Sequence, residues 1–315
     1  MARNRVLIVG GTGYLGQHLL QQFTQTLTNQ FDLAFTHYSN PPPQLLTSIP
    51  QSLPFKVDLQ TGEGLTTIST TFGEPNVIVN CAALSVPRVC EMDPETAMAV
   101  NVPEFLVKWM EGFRESALLI HLSTDQVYEG VKPFYKEVDE TVPVNVYGKS
   151  KVAAEKFISS NCKSFAILRS SIIYGPQTIS PVTKSLPVQW MDSVLSKGDD
   201  IEFFHDEFRC PVYVKDVVAV IVALTNTWLS DGKQMQLLLN VGGPERVSRV
   251  QMAETVASVR GYNASLIKSV SASSINRGVK SPSDISMDIS KLVNTVGITP
   301  VSFRDGVKLT LGIES

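Results

Sequence analysis

The segment that most constrains the fold is a glycine-rich turn near the start of the chain. Residues 10–16 read GGTGYLG. They follow the apolar stretch 5–9, which suits a buried strand, and precede Leu19, Leu20 and Phe23 at helical spacing. Strand, glycine turn and helix in this order are the context of a dinucleotide-binding turn, where glycines let the backbone approach a pyrophosphate. The candidate cofactor contacts in this turn are Gly10, Gly13, Tyr14, Leu15 and Gly16.

The second predicted strand, residues 33–36, bears on the choice of dinucleotide. In this fold an acidic residue near the end of that strand bonds the adenosine ribose and would repel a 2′-phosphate. Thr36, His37 and Tyr38 stand there without an Asp or a Glu, and no arginine marks a phosphate. His37 is therefore a candidate cofactor contact, and the pattern favours NADP while leaving NAD open.

The third and fourth predicted strands supply further candidates at their carboxyl ends. The strand predicted over 55–59 places Asp58 and Leu59 where an adenine would lie, and Asp58 is equally suited to cap a helix predicted over 62–70. Small residues follow the strand predicted over 77–79, where the dinucleotide backbone must pass closely. The candidates there are Cys81, Ala82 and Ala83.

A fifth predicted strand, residues 117–122, leads to the most reactive stretch of the sequence. Thr124 stands just beyond its end, and Tyr147 and Lys151 are four residues apart on one face of a predicted helix. An ammonium can stabilise a phenolate, and a hydroxyl at a strand end can hold a carbonyl oxygen. This stretch therefore contains the parts of a proton-transfer site. The alternative is an exposed tyrosine and a solvated lysine on an ordinary helix.

Strands and helices alternate up to a sixth strand at 165–168, which predicts an α/β fold with a doubly wound parallel sheet of the Rossmann type. Residues 95–110 are interpreted as one helix that packs on this sheet. The predicted division is an NAD(P)-binding domain at 1–175 and a smaller C-terminal α/β substrate-binding region at 176–315, with some chain crossing back. The elements predicted after Pro176 are helices at 187–196, 214–225, 247–260 and 301–311 and a strand at 237–241.

Composition excludes several classes of function. A formal charge of −3 and a pI of about 5.9 give no basic field for nucleic acid or an anionic membrane. The four cysteines form no CxxC pair and have no histidine at ligand spacing, and His18, His37 and His205 are isolated from one another, so no metal site is expected. No apolar run is long enough to cross a bilayer and no targeting segment is recognised, so we expect a cytoplasmic protein.

Several segments together resemble one family. They are the glycine turn 10–16, VNCAA at 79–83, LSTD at 122–125, residues 143–151, RSSIIYG at 169–175, RCPVYV at 209–214 and residues 282–292. The chain is similar to the extended short-chain dehydrogenase/reductases, and most of all to the dTDP-4-dehydrorhamnose reductase group. That group also contains the regulatory β subunit of methionine adenosyltransferase. The resemblance covers nearly the whole chain.

The resemblance implies a role for each matching residue. Thr124, Tyr147 and Lys151 would form the catalytic triad. Tyr147 would protonate the substrate oxygen as hydride arrives from the nicotinamide, and Lys151 would hold the ribose hydroxyls and lower the pKa of the phenol. Ser170 and Ile172 would line the nicotinamide. The candidate substrate contacts are Ser85, Asp125, Gln126 and Arg209.

The chain departs from the group's pattern at positions expected near the substrate. Gln126 and Tyr128 replace the two aromatic residues of an Asp-Tyr-Val-Phe motif, and Arg88 and Ser281 are further differences. The substrate specificity of the group therefore does not transfer directly.

Two of the substrate candidates have alternative interpretations. Asp125 is better suited to support or cap its neighbours than to contact substrate. Arg209 is as well suited to pair with Glu207 or Asp206 at the surface as to grip a substrate phosphate.

Three functions are consistent with these residues. The first is an NAD(P)H-dependent reductase of a carbonyl, with a 4-keto nucleotide sugar as the favoured substrate. The second is a cofactor-binding regulatory subunit that associates with another enzyme, and such a subunit keeps the same tyrosine and lysine. The third, a nucleotide-sugar epimerase or dehydratase, requires tightly held NAD, which the missing acid after the second strand disfavours. A homodimer is left open.

Overall fold

A parallel β-sheet forms the centre of the molecule, whose computed structural model describes residues 3–26 and 30–313. The strands are β1 Asn4–Val9, β2 Phe31–His37, β3 Ser52–Lys56, β4 Val77–Asn80, β5 Leu118–Thr124, β6 Phe165–Ser170, β7 Ile173–Tyr174, β8 Ile201–Phe204, β9 Phe208–Arg209, β10 Val212–Tyr213, β11 Gln236–Val241, β12 Val247–Ser248 and β13 Ile267–Val270. The helices are α1 Tyr14–Thr26, α2 Pro43–Ser48, α3 Leu65–Thr71, α4 Pro87–Met92, α5 Pro94–Asn101, α6 Glu104–Glu111, α7 Val146–Asn161, α8 Pro187–Leu195, α9 Val214–Asp231, α10 Arg249–Arg260, α11 Ser290–Val296 and α12 Phe303–Leu311.

The main sheet has seven strands in the order β11, β6, β5, β4, β1, β2, β3, and each neighbouring pair is parallel. Because β1 lies between β2 and β4, the chain reverses its winding direction beside β1. In sheets of this kind the carboxyl ends of the strands open a crevice at such a point, and ligands bind there. The prediction of a doubly wound parallel sheet is confirmed.

Helices bury both faces of the sheet. On one face, α1 and α9 pack through Leu19 and Ile221. On the other, α3, α6 and α7 pack through Ile68, Leu106 and Ile158. Strands covered on both faces are mostly apolar, which is why the sequence shows them as nearly continuous apolar runs.

The second half of the chain builds its own core and then rejoins the sheet. Helices α8, α10 and α12 pack around Met191, Val256 and Val307. Strand β11 pairs with β6 and so completes the main sheet from the far end of the chain. Within residues 3–26 and 30–313, no helix combines the length and the apolar character that crossing a membrane requires.

Two sequence predictions about elements are wrong. The helix predicted over 95–110 is two helices, α5 and α6, separated at Pro103, because proline cannot donate the backbone hydrogen bond that a continuous helix needs and the preceding residue avoids helical geometry. The third strand lies at Ser52–Lys56 rather than 55–59. Asp58 and Leu59 therefore follow the strand in a turn, and the N-cap of α3 is Gly64, not Asp58.

Candidate active site

The glycine turn is a close-packed junction between β1, α1 and β4. A Cβ atom at Gly10 would lie 2.9 Å from the Ala82 Cα, and one at Gly16 would lie 2.3 Å from the Gly10 carbonyl oxygen. Gly10 also has φ +82°, a region that glycine adopts without strain. The end of β2 fixes the turn from the other side, because the Thr36 hydroxyl accepts a 3.0 Å hydrogen bond from the Gly10 amide. Gly10, Gly16 and Ala82 thus determine the shape of the turn through close packing.

A cleft of about 670 Å³ opens above the carboxyl ends of the central strands. Most of the predicted site residues line it. They are Gly13, Tyr14, Leu15, Cys81, Ala83, Ser85, Thr124, Asp125, Gln126, Tyr147, Ser170 and Ile172. The cofactor, catalytic and substrate candidates are therefore brought together in one space.

Helix α7 carries the predicted catalytic pair and is held firmly at its start. The Asn145 side chain caps it by accepting a 2.8 Å hydrogen bond from the Gly148 amide. Gly148 allows close approach to the segment after β5, because a Cβ there would lie 2.2 Å from the Gln126 carbonyl oxygen. This contact sets Tyr147 beside the end of β5.

Tyr147 and Thr124 are neighbours on the wall of the cleft. Both are buried, and a hydrogen bond with the Thr124 side chain lowers the pKa of the Tyr147 phenol. Burial is the larger effect and raises that pKa well above its ordinary value. The phenol is therefore protonated at neutral pH, as a proton donor must be. The alternative of an exposed tyrosine is wrong.

Lys151 lies below the cleft surface with only 1% of its area exposed, so the alternative of a solvated lysine is also wrong. Its Nζ lies 3.0 Å from the Nε2 atom of His121. Burial lowers the pKa of Lys151 to about 8, against an opposing contribution from Glu155. The lowering of the Tyr147 pKa that the resemblance assigns to Lys151 remains a prediction.

The contact between His121 and Lys151 was not predicted, although the sequence contained a signal for it. Side chains two apart on a strand share a face, and side chains four apart on a helix do the same. His121 and Ser123 on β5 meet Lys151 and Glu155 on α7, with Ser123 donating a 2.5 Å hydrogen bond to Glu155. Two polar residues at this spacing in an apolar strand could have indicated a polar helix face opposite.

Glu155 forms a buried ion pair with Arg169, which lies in β6. The Arg169 guanidinium donates to both carboxylate oxygens, at 2.7 Å from Nη2 to Oε2 and 3.1 Å from Nε to Oε1. Arg169 also donates a 3.0 Å hydrogen bond to the Tyr128 hydroxyl. Tyr128 is fully buried and does not line the cleft, so the expectation that it lies near the substrate is wrong.

Asp125 lines the cleft but is held by its neighbours. Its carboxylate accepts hydrogen bonds from Ser171 at 2.8 Å and from Thr124 at 3.2 Å. Burial raises the pKa of this carboxyl group, while nearby Arg209 opposes the effect. These contacts favour the supporting role over direct substrate contact. Gln126 is also anchored, since it accepts a 2.8 Å hydrogen bond from Asn145.

Arg209 does not line the cleft. Its guanidinium donates to the Phe208 carbonyl at 2.7 Å, to the Pro282 carbonyl at 2.9 Å and to the Ser281 hydroxyl at 3.1 Å. Glu207 instead forms a 2.5 Å ion pair with Arg277. The alternative of a surface pair between Arg209 and an acid is therefore wrong. The alternative of a phosphate contact remains a prediction.

The adenine-side candidates do not line the cleft. His37 bonds the Ser39 carbonyl at 2.9 Å, and Asp58 accepts a 2.8 Å hydrogen bond from the Gln60 amide. Leu59 packs against the core that contains Ile68. The cleft is lined instead by residues after β2 that the sequence did not single out, although they follow the strand at the expected place. They are Ser39, Asn40 and Pro42.

The cleft is also lined by a cation that sequence reasoning missed. The segment 180–187 lines the cleft, and within it the Lys184 ammonium donates a 3.2 Å hydrogen bond to the Ser85 hydroxyl. Lys184 is the only lysine or arginine among the described residues that line the cleft. An anionic group in the cleft would meet this side chain.

Comparison with known proteins assigns the family. The family described as the RmlD substrate binding domain matches residues 4–314. The chain belongs to this family. Subunit beta of methionine adenosyltransferase 2 from Mus musculus is 30% identical over 310 residues, which is 98% of this chain and 87% of that protein. A probable low-salt glycan biosynthesis reductase, Agl14, from Haloferax volcanii is 27% identical and covers 95% of this chain and 94% of its own.

A solved structure of the same architecture supports the RmlD family fold. The dTDP-4-dehydrorhamnose reductase of Bacillus anthracis, in complex with NADP, superposes with a TM-score of 0.77. The alignment covers 99% of this chain and 100% of that one at 21% identity. The resemblance predicted from the sequence is confirmed at the level of family and fold.

Proposed function

We propose that this protein is an NADP(H)-dependent reductase of a carbonyl compound, with a 4-keto nucleotide sugar as the favoured substrate. One observation carries the proposal: the protonated Tyr147 phenol, its Thr124 partner and the glycine turn all face a single cleft. A proton donor, a hydroxyl to hold a carbonyl oxygen and a dinucleotide site are the parts that such a reduction needs.

The residues present fit a dinucleotide. The turn at Gly10 and Gly16 has no room for side chains, and it leads into α1, whose N-terminal amides would stabilise a pyrophosphate. His37 ends β2 without a carboxylate to repel a 2′-phosphate, which favours NADP over NAD. The bound dinucleotide would supply the hydride. The reductase from Bacillus anthracis is itself a complex with NADP.

The chain's own residues would manage the proton. Thr124 would orient the substrate oxygen toward Tyr147, and the Tyr147 hydroxyl would give it a proton. Because burial keeps this phenol protonated, the arrangement suits reduction, in which the phenol donates. Lys151 would bind the ribose hydroxyls from below.

The substrate proposal rests on the cleft and on the relatives. A volume of about 670 Å³ is in the range of pockets that hold sizeable organic ligands. Lys184 and Ser85 offer a cation and a hydroxyl to an anionic group. A nucleotide sugar carries such a group in its diphosphate, and the Bacillus anthracis relative is named for a nucleotide-sugar reduction.

The test is NADPH binding by nicotinamide fluorescence, followed by turnover of a panel of 4-keto nucleotide sugars. We expect Tyr147→Phe to lower turnover at least a hundredfold while leaving NADPH affinity within about twofold, because general acid catalysis contributes about 10² to 10⁴ in rate. Tyr262→Phe is the matched control, since its hydroxyl bonds Asp192 and does not line the cleft. Undiminished turnover in Tyr147→Phe would mean that the proton comes from elsewhere.

A second candidate is a cofactor-binding regulatory subunit, favoured by the 30% identity to subunit beta of methionine adenosyltransferase 2. This candidate predicts NADPH binding without turnover of any sugar, together with association with a methionine adenosyltransferase catalytic subunit in size-exclusion chromatography. Failure to bind NADPH would contradict both candidates.

A further inference from the structure

Three buried side chains form a polar chain between β4, β5 and α7. The Asn80 Nδ2 lies 3.2 Å from His121 Nδ1, and His121 Nε2 lies 3.0 Å from Lys151 Nζ. All three residues are at most 1% exposed, so water does not compete for these groups. The hydrogen-bond donors and acceptors of these three side chains therefore determine which of their atoms carry hydrogens.

The orientation of Asn80 fixes the first link. Its Oδ1 accepts a 3.2 Å hydrogen bond from the Ala82 amide, so the side-chain NH₂ group faces the imidazole. An NH₂ group only donates, and the nitrogen opposite it must accept. His121 Nδ1 is therefore the bare nitrogen of the ring.

The second link follows from the charge of the imidazole. Burial, the larger of the effects on this group, holds the pKa of His121 well below its ordinary value, so the ring is neutral and carries one hydrogen. With Nδ1 accepting, that hydrogen sits on Nε2 and points at Lys151 Nζ. An uncharged amine has a lone pair to accept it, whereas an ammonium has three donors and none.

Glu155 and Cys81 are the groups near Lys151 whose negative charge would raise its pKa. Glu155, one turn further along α7, is bonded to Arg169 and Ser123. The thiol of Cys81, next to β4, has a pKa raised to about 12 by burial and is therefore neutral at ordinary pH. The imidazole is the group that Lys151 directly contacts.

We propose that His121, oriented by Asn80, is a positioning residue that presents an N–H group to Lys151 and favours its uncharged form in the ligand-free protein. The tautomer of one side chain thus influences the charge of another that lies below the surface of the cleft. The catalytic consequence rests on the proposed function: a lysine that is readily uncharged can take up a proton when an anionic dinucleotide binds.

The direct test is the titration of Lys151 in the ligand-free protein, followed by NMR of ¹³Cε-labelled lysine and assigned with Lys151→Met. We expect a midpoint near 8 in the wild type, as the burial of Lys151 implies. In His121→Gln the new carbonyl oxygen can rotate to accept from an ammonium, so the midpoint should rise by one pH unit or more. His18→Gln, which alters another buried histidine bonded to a backbone carbonyl, should leave it unchanged.

A second variant keeps both titrating side chains. Asn80→Ala frees Nδ1, lets the ring take the other tautomer and so makes Nε2 an acceptor, which should also raise the midpoint. Circular dichroism shows which variants are folded. An unchanged midpoint in either folded variant, or a wild-type midpoint near 10.5, overturns the proposal.

The outcome is separable from that of the proposed function. The titration uses neither NADPH nor substrate. A failure to bind NADPH would therefore contradict the proposed reductase function, whereas the titration would still show whether His121 affects the charge of Lys151. Proton uptake on NADPH binding, measured by calorimetry in two buffers at pH 8.5, connects the two. We expect uptake by the wild type and less by His121→Gln. Equal uptake would contradict the link to the cofactor.

Discussion

Replacing Lys151 tests whether the buried charge of this side chain lowers the stability of the folded protein. The ammonium is 1% exposed and has a neutral imidazole rather than a carboxylate as its direct partner. Lys151→Met removes the charge and keeps a flexible side chain of similar length. Burying a charge should therefore lower the free energy of unfolding of the wild type, relative to that of the variant, at any pH at which the lysine is charged.

The magnitude follows from the shift in proton affinity. Burial lowers the pKa of Lys151 from 10.5 to about 8. Each factor of ten in proton affinity corresponds to about 1.4 kcal/mol, so the folded state bears a cost on the order of 3 kcal/mol at pH 7. Loss of the His121 contact in the variant subtracts a pH-independent amount, typically about 1 to 3 kcal/mol, for the donor left without a partner.

The pH dependence separates these two contributions. Between the folded and unfolded pKa values, the folded state binds fewer protons than the unfolded state, so stability rises with pH across that window. The wild type should therefore gain about 2 kcal/mol of unfolding free energy relative to Lys151→Met between pH 7 and pH 10. Urea unfolding of both proteins at several pH values measures this gain.

An exposed lysine provides the control. Lys197→Met removes an exposed lysine, so it should show no such gain. A difference between wild type and Lys151→Met that stays constant within about 0.5 kcal/mol over this pH range would refute the argument, because it would mean an unperturbed ammonium. A difference of opposite sign would mean that Lys151 is held in an ion pair.

Two further variants test the buried ion pair and the glycine turn. Glu155→Gln leaves the Arg169 guanidinium buried without its anion and should lower the unfolding free energy by about 3 to 5 kcal/mol. Glu104→Gln, in an exposed pair, should cost at most about 1 kcal/mol in the same urea titration, and equal losses would contradict the difference in burial. Gly16→Ala places a Cβ 2.3 Å from a carbonyl oxygen of the turn, so it should cost about 1 to 3 kcal/mol and weaken NADPH binding at least tenfold. Gly112→Ala, whose Cβ has a 3.5 Å neighbour, should do neither, and NADPH fluorescence with urea unfolding measures both.

The parts of the fold that the sequence predicted are those set by local pattern. Strands buried on both faces are mostly apolar, and the glycine turn has a steric requirement that few other sequences meet. The four-residue spacing of Tyr147 and Lys151 likewise predicts that they share a face, because a helix places residues four apart on the same side. These signals need no knowledge of distant residues.

The parts that escaped prediction depend on contacts between distant segments. His121 and Lys151 are 30 positions apart, and only the packing of α7 on β5 shows that the lysine faces an imidazole. Tyr128 resembled a substrate-side residue until its partners were known, since the Arg169 and Asn240 side chains hold it in the core. The break at Pro103 was visible in the sequence and was overridden by the apolar spacing around it.

The position of β11 has a consequence for folding during synthesis on the ribosome. This strand pairs with β6, yet it is synthesised only after α8 and α9 have been made. At about 5 to 20 residues per second, the intervening stretch of roughly 70 residues keeps the edge of β6 unpaired for several seconds. An apolar strand edge left open for that long is a template for association with other nascent chains.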